Sequence, residues 1–289
     1  MNIATILSHG ARTLRPHSDS PRLDAEILLG KVLGLSRAAL VARNDESLAG
    51  DDERCYAELI DQRRAGMPVA YLTGTREFWS LPLRVSPGVL VPRPETEILV
   101  EQALRMKSRN DPCAVLDLGT GSGAVALAIA SERPHWSITA VDVSPIALRV
   151  AQQNAQALEI CNIDWHLGSW FEPLQSRRFD LIVANPPYVA ADDPALAALI
   201  AEPQLALDGG PTGLEALAAI IAEAPAHLHA RGWLLLEHGA TQAPAVVSLL
   251  ERQGMSGIRT VPDFAGCARV TLACADSQTP ITHNDRKSS

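Results

Sequence analysis

The sequence predicts an α/β fold. It is a seven-stranded, mostly parallel sheet, preceded by a small helical bundle joined to it through a β-hairpin. Three observations carry this. From Ala114 onward, short apolar strand-like runs alternate with helical segments, the pattern of a parallel sheet covered on both faces. A glycine-rich turn, Gly119-Thr120-Gly121-Ser122-Gly123, joins the first such strand to the first such helix. Residues 1 to about 75 have a different texture, with apolar positions spaced three and four apart as on a helix face.

Helical spacing in the first part is set by Ile3, Ile6 and Leu7, then Leu23, Ile27 and Leu28, then Val32, Leu33 and Leu35. Ser20-Pro21 and Asp51-Asp52-Glu53 read as helix starts, with proline at the first helical position and acids in the first turn. Ser36 reads as the cap of Arg37–Ala42. Next, Phe78–Val85 alternates, Ser86-Pro87-Gly88 turns and Val89–Val91 extends, which predicts a hairpin kept off a central strand by its prolines. The domain link falls here, over residues 76–92. Arg93-Pro94-Glu95-Thr96-Glu97 opens a helix to about Met106. The strands of the main sheet are expected at 114–118, 137–142, 162–167, 179–184, 232–237, 257–261 and 268–273. Helices are expected at 123–132, 145–158, 214–228 and 242–253. The last two strands have no helix between them, so the sheet is expected to end antiparallel. The polar tail from Asp276 is expected to be disordered.

Composition bounds the function. A chain of 289 residues suits two domains, a catalytic one over 93–275 and a helical one over 1–75, at ~150 residues each. With 47% hydrophobic and 20% charged residues, it is neither disordered nor fibrous in character. A net charge of −8 disfavours nucleic acid and anionic membrane as partners. The ten Lys/Arg and eleven Asp/Glu through Ser80 make no basic clamp. The five widely spaced cysteines read as free thiols in a reducing compartment, with no zinc-type spacing. The opening residues make a poor signal peptide, and the apolar runs fall short of the ~20 residues that span a bilayer. A soluble, cytoplasmic protein with no metal site is expected.

Two motifs carry chemistry. In the glycine turn the backbone bends sharply and lets a ligand approach closely. Asp142, at the end of the second strand, suits the two hydroxyls of a ribose. Together they indicate an adenosine-containing cofactor without saying which, since Gly119-x-Gly121-x-x-Ala124 also fits a dinucleotide fingerprint. The second motif, Asn185-Pro186-Pro187-Tyr188, follows the fourth strand and so belongs on the same rim. Its prolines donate no N–H and leave carbonyls free, Asn185 adds a side-chain acceptor, and Tyr188 a flat face. That set suits a planar –NH2 group and provides nothing for hydride transfer. His227 and His229 read as exposed residues, His238 as a structural hydrogen-bonding group, Asp192-Asp193 as a helix start and Asp208–Pro211 as a turn that could border the acceptor site.

These motifs resemble the class I S-adenosylmethionine-dependent methyltransferases that act on amino nitrogens. The flanking Gly74–Trp79, Leu90–Glu97, Gly168–Phe171, Glu202–Gly210 and Leu236–Gly239 resemble the peptide-chain release factor glutamine N5-methyltransferases, the PrmC/HemK family, over nearly the whole chain. The resemblance implies a Rossmann-like methyltransferase domain that uses S-adenosyl-L-methionine and acts on the glutamine of the Gly-Gly-Gln motif in release factors. Gly119, Thr120, Gly121, Ser122 and Gly123 would cradle the cofactor's amino-acid portion, Asp142 its ribose and Trp170 its adenine. Asn185 would touch both cofactor and substrate. Asn185, Pro186, Pro187 and Tyr188 would hold the acceptor glutamine, with Asn185, Pro186 and Tyr188 as the catalytic set. Arg93 and Glu95 suit either substrate orientation or a salt bridge securing the interdomain helix, and are left outside the site. The helical N-terminal part would grip the protein substrate. An amino methyltransferase acting on adenine or guanine in nucleic acid is the competing expectation.

Overall fold

The computed structural model describes residues 1–275; the expected disordered tail lies outside them. Five helices come first: α1 (Ile3–Leu14), α2 (Pro21–Leu33), α3 (Arg37–Ala42), α4 (Gly50–Arg64) and α5 (Val69–Thr73). Ile3, Ile6, Leu7 and Leu14 pack with Leu28, Leu29, Leu40, Tyr56 and Ile60 into one core. As expected, Ser36 caps α3 through Ala39 N–H, and Asp51, Asp52 and Glu53 fill the first turn of α4. The apolar reading of α2 needs correction. Leu23 is exposed, whereas Asp24 and Glu26 are buried. Arg63 pairs with Asp24, and Arg22 and Arg37 pair with Glu26, so their charges are compensated inside the bundle.

The hairpin is present but shifted. β1 (Thr75–Phe78) and β2 (Leu81–Arg84) pair antiparallel, with Phe78 opposite Leu81. The turn is therefore Trp79-Ser80 and not Ser86–Gly88. Both turn residues have positive φ, 52° and 60°, the geometry of a type I′ turn, which usually calls for Asn-Gly. Tertiary bonds hold it instead. Trp79 N–H donates to Glu97 and its indole N–H to Glu132. Val89–Val91 forms no strand.

After α6 (Glu97–Arg105) comes the main sheet. In chain order it contains β3 (Ala114–Leu118), α7 (Ala124–Glu132), β4 (Ser137–Asp142), α8 (Pro145–Ala157), β5 (Ile163–Leu167) and β6 (Phe179–Ala184). Then follow α9 (Pro194–Ala198), α10 (Glu215–His227), β7 (Leu228–Glu237), α11 (Ala243–Arg252), β8 (Ser256–Pro262) and β9 (Ala268–Cys274). The strand order is β5-β4-β3-β6-β7-β9-β8, with every strand parallel except β9, which runs antiparallel to both of its neighbours, β7 and β8. Alternate residues of each strand face opposite layers. Val115, Ile138, Leu181 and Val183 meet α6 and α7, while Leu116, Leu118, Ile182 and Leu234 meet α10 and α11. β7 begins four residues earlier than expected, with a register shift opposite Phe179/Leu181 and Arg231 at positive φ.

The chain leaves β3 for β4 and β5 on one side, then returns to place β6 and β7 on the other. Such a reversal opens a crevice beyond the carboxyl ends of the strands. The helical unit is docked beside this crevice. The Asn154 side chain on α8 accepts from Arg84 N–H and donates to the Arg84 and Ser122 carbonyls. The Tyr71 hydroxyl of α5 donates to the Val89 carbonyl.

Candidate active site

Strand register builds the site. Leu118 on β3 pairs with Val141 on β4 and Ala184 on β6, and Ala184 pairs with Leu236 on β7. The next residue on each strand is Asp142, Gly119, Asn185 and Glu237, so these four stand at one level across adjacent strands. With strands ~4.8 Å apart, neighbouring members of the row begin within about 5 Å of one another.

The glycine turn is shaped by its own backbone. Gly119 and Thr120 N–H both donate to the Val141 carbonyl, at 2.9 and 3.0 Å. Gly119, Gly121 and Gly123 all have positive φ. The Asp142 carboxylate caps the turn, accepting from Gly121 N–H and from Ser144 N–H at 2.8 Å each. Burial raises its pKa, and the N–H groups of Ser144, Gly121 and Val143 offset part of that rise.

A cavity of ≈ 320 Å³ opens over this row, lined by Gly119, Gly121, Asp142, Trp170, Asn185 and Pro187 among others. Its size is that of a small-molecule site. Trp170 lies over Gly119, where a Cβ would come within 3.5 Å of the indole. Thr120, Ser122 and Gly123 do not line the cavity but are buried in the loop that borders it. The Thr120 hydroxyl donates to Asp117 at 2.6 Å, and Gly123 packs so tightly that a Cβ there would meet Ala151 at 3.1 Å. Burial pushes the Asp117 carboxyl up to about 7.

The Asn185 turn presents two acceptors. Asn185 Nδ2 donates to Thr96 Oγ1 at 3.1 Å, which leaves Oδ1 to the cavity its residue lines. Among the described residues no donor reaches the Pro186 carbonyl. Pro186 is buried, and neither it nor Tyr188 lines the cavity. The Tyr188 hydroxyl donates to Glu237 at 3.3 Å, and burial raises its pKa.

Two segments were not anticipated as walls of the site, apart from Asp208, whose turn was expected to border the acceptor site. Gly88, Val89 and Leu90 form one wall of the cavity, and Pro203, Leu205, Ala206 and Asp208 another. The second segment is tethered through Glu202, which pairs with Arg93 and accepts from Val91 N–H at 3.0 Å. Arg93 thus has a salt bridge, but to Glu202 rather than Glu95. His238 is structural, with Nε2 2.8 Å from Thr271 Oγ1. His227 departs from its expected exposure: it is buried, stacked on Phe171 and bonded to the Arg177 carbonyl.

Comparison with known proteins agrees with this geometry. Residues 5–74 match the PrmC N-terminal domain family, and residues 94–246 match the methyltransferase small domain family. A release factor glutamine methyltransferase of Coxiella burnetii is 46% identical over 89% of this chain and 92% of that protein. One from Salmonella typhimurium is 48% identical over 88% and 92%. Among solved structures, a T. thermophilus 16S rRNA N2 G1207 methyltransferase in complex with AdoMet and guanosine has a TM-score of 0.52 at 20% identity. That match covers 69% of this chain and 49% of that one, and shows the shared fold. With a switch-point crevice, an intact glycine turn and relatives matching along nearly their whole length, the chain belongs to the release factor glutamine methyltransferase family.

Proposed function

We propose that this methyltransferase transfers the methyl group of S-adenosylmethionine to the side-chain amide nitrogen (N5) of the glutamine in the Gly-Gly-Gln motif of peptide chain release factors. One observation carries the reading. The capped glycine turn, Asp142 and the open Oδ1 of Asn185 share one level and one cavity. The names of the relatives support the release factor as substrate.

The donor set fits the cofactor. The Asp142 carboxylate keeps lone pairs for a ribose diol, and Gly119 and Gly121 present bare backbone to the cavity. Trp170 and Val89 offer apolar surface for a purine. When bound, S-adenosylmethionine supplies a methyl group on a positively charged sulfur, already a strong electrophile.

The residues of the turn deal with the acceptor. A carboxamide nitrogen shares its lone pair with its carbonyl and is a weak nucleophile. Asn185 Oδ1 and the Pro186 carbonyl accept its two N–H groups, which orients the nitrogen and favours positive charge developing on it. Tyr188, fixed through its hydroxyl behind the cavity, supports the turn. The helical unit, over residues 1–75, contacts the release factor away from the reacting glutamine. A release factor as substrate places the enzyme in the cytoplasm; no helix among the described residues is long and apolar enough to cross a membrane.

The test is incubation with methyl-labelled S-adenosylmethionine and purified release factor, beside duplex DNA and RNA, followed by mass spectrometry. Label is expected on the glutamine of Gly-Gly-Gln. Label confined to adenine or guanine would overturn the reading.

A further inference from the structure

Behind the Asn185 turn sits a buried carboxylate that the roles above leave unused. Glu237 ends β7 and is 1% exposed. Its Oε1 accepts from the Tyr188 hydroxyl. Its Oε2 is buried with no partner at hydrogen-bonding geometry. The Thr96 hydroxyl stands beside this carboxylate and stabilises its charged form. The oxygen of that same hydroxyl accepts from Asn185 Nδ2. Thr96 is itself 4% exposed, so water does not compete freely for the bond to Asn185 or for the unpartnered Oε2.

We propose that Glu237, acting through Thr96, is a positioning residue that fixes which end of the Asn185 amide faces the cavity. The inference rests on reading Asn185 as the group that receives the acceptor amide. An ionised carboxylate can only accept hydrogen bonds. Thr96 must therefore turn its proton toward Glu237, which leaves an oxygen lone pair for an N–H of Asn185. Nδ2 is drawn inward and Oδ1 is aimed into the cavity, where an incoming –NH2 group needs an acceptor. The inverted amide would set its own N–H groups against those of the substrate. Each bond in the chain also polarises the next. The negative charge of Glu237 thereby enriches Oδ1 without placing a charged group in the cavity. Tyr188, donating to the other carboxylate oxygen, is held by the same charge.

The groups facing Glu237 are Thr96 and Glu95 from the turn before α6, Tyr188 from the turn after β6, and Arg269 from β9. His238 follows it in sequence, and Arg269 is paired with Asp263 at 3.1 Å. Burial pushes the Glu237 carboxyl up to about 7, with Thr96, Arg269 and Tyr188 opposing that rise. Once protonated, Glu237 can donate to Thr96 and release the hydroxyl proton toward Asn185. The orienting bond then loses its direction, and turnover falls on the acid side.

Two readouts on the full-length enzyme test the relay. The first is hydrogen exchange of the Asn185 side-chain –NH2, followed by ¹⁵N NMR at pH 8 and assigned by its loss in Asn185→Ser. Slow exchange is expected in the native enzyme and in Thr96→Ser, with fast exchange in Glu237→Gln and Thr96→Val. The second is the pH profile of methyl transfer. Glu237→Gln is expected to lower kcat by roughly 10- to 100-fold, the kinetic equivalent of a charge-assisted hydrogen bond. It is also expected to abolish the acid limb and leave the cofactor Kd unchanged, which certifies the fold. Thr96→Ser should recover the kcat lost in Thr96→Val. Free exchange of the native amide, or a Glu237→Gln enzyme with native kcat and an intact acid limb, would overturn the relay. If the native enzyme fails to methylate release factor, the substrate reading falls and amide exchange alone decides the relay.

Discussion

Asn185 meets two demands at once: its Nδ2 is tied to Thr96 while its Oδ1 stays open. Replacing it with alanine removes the acceptor without disturbing Asp142 or the glycine turn. Asn185→Ala is expected to lower kcat by roughly 10²- to 10³-fold, the usual cost of deleting one preorganised polar contact to developing charge. Cofactor affinity should weaken far less, which calorimetry beside a labelled-methyl assay will separate. Asp117 gives a second prediction at this scale. Its carboxyl is raised from 3.8 to about 7 by burial. Below pH 4 it is protonated in both the folded and unfolded chain, and its contribution to stability is full. As pH rises toward 7 the unfolded chain releases the proton first, so that contribution is lost. Asp117→Asn cannot titrate, so its Tm relative to the native enzyme is expected to rise from pH 5 to pH 8 in a thermal melt series. A flat difference would contradict it. Asn185 and Asp142 were legible in the sequence because each belongs to a short motif with its own chemistry, whereas Trp170 came only from the family resemblance. Thr96 and Glu237 were not. Their meaning depends on which strands are neighbours and on register, neither of which a linear motif records.

Among the elements, the central strands and their helices were read closely because buried parallel strands are nearly continuous apolar runs. The hairpin was misplaced by several residues. Trp79-Ser80 lacks the usual turn residues, and the bonds that hold it come from Glu97 and Glu132, distant in sequence. The same kind of distant bond makes Asn154 decisive. It is 1% exposed and joins α8 both to β2 and to the glycine turn. Asn154→Ala leaves a buried N–H and two carbonyls short of partners. It is expected to destabilise the enzyme by roughly 1–3 kcal/mol in a denaturant titration. It should also raise the cofactor Kd, because the Ser122 carbonyl loses its tether. Asn154→Asp keeps the acceptor but sets a buried carboxylate oxygen against the Arg84 and Ser122 carbonyls, and is expected to destabilise at least as much.

Across the whole molecule, two units of different texture were legible from composition and periodicity, and so was the rim where the motifs meet. The contact between the units was not, because Val89 and Leu90 look like ordinary linker in the sequence. Yet this linker walls the cavity, and Tyr71 of the helical unit holds it by the Val89 carbonyl. Tyr71→Phe removes that bond while keeping the ring. It is expected to raise the Kd for S-adenosylmethionine by a few-fold, the scale of one hydrogen bond, as read by calorimetry.

A strap shared by two units makes their ligands thermodynamic partners. On the proposed roles, a guest that settles against Val89 and Leu90 would stiffen the seat of the first five helices, and a protein gripped by those helices would steady the same wall from outside. Reciprocity then requires each to tighten the other by the same factor. The donor would thus be held most firmly when the macromolecule that needs it has already arrived.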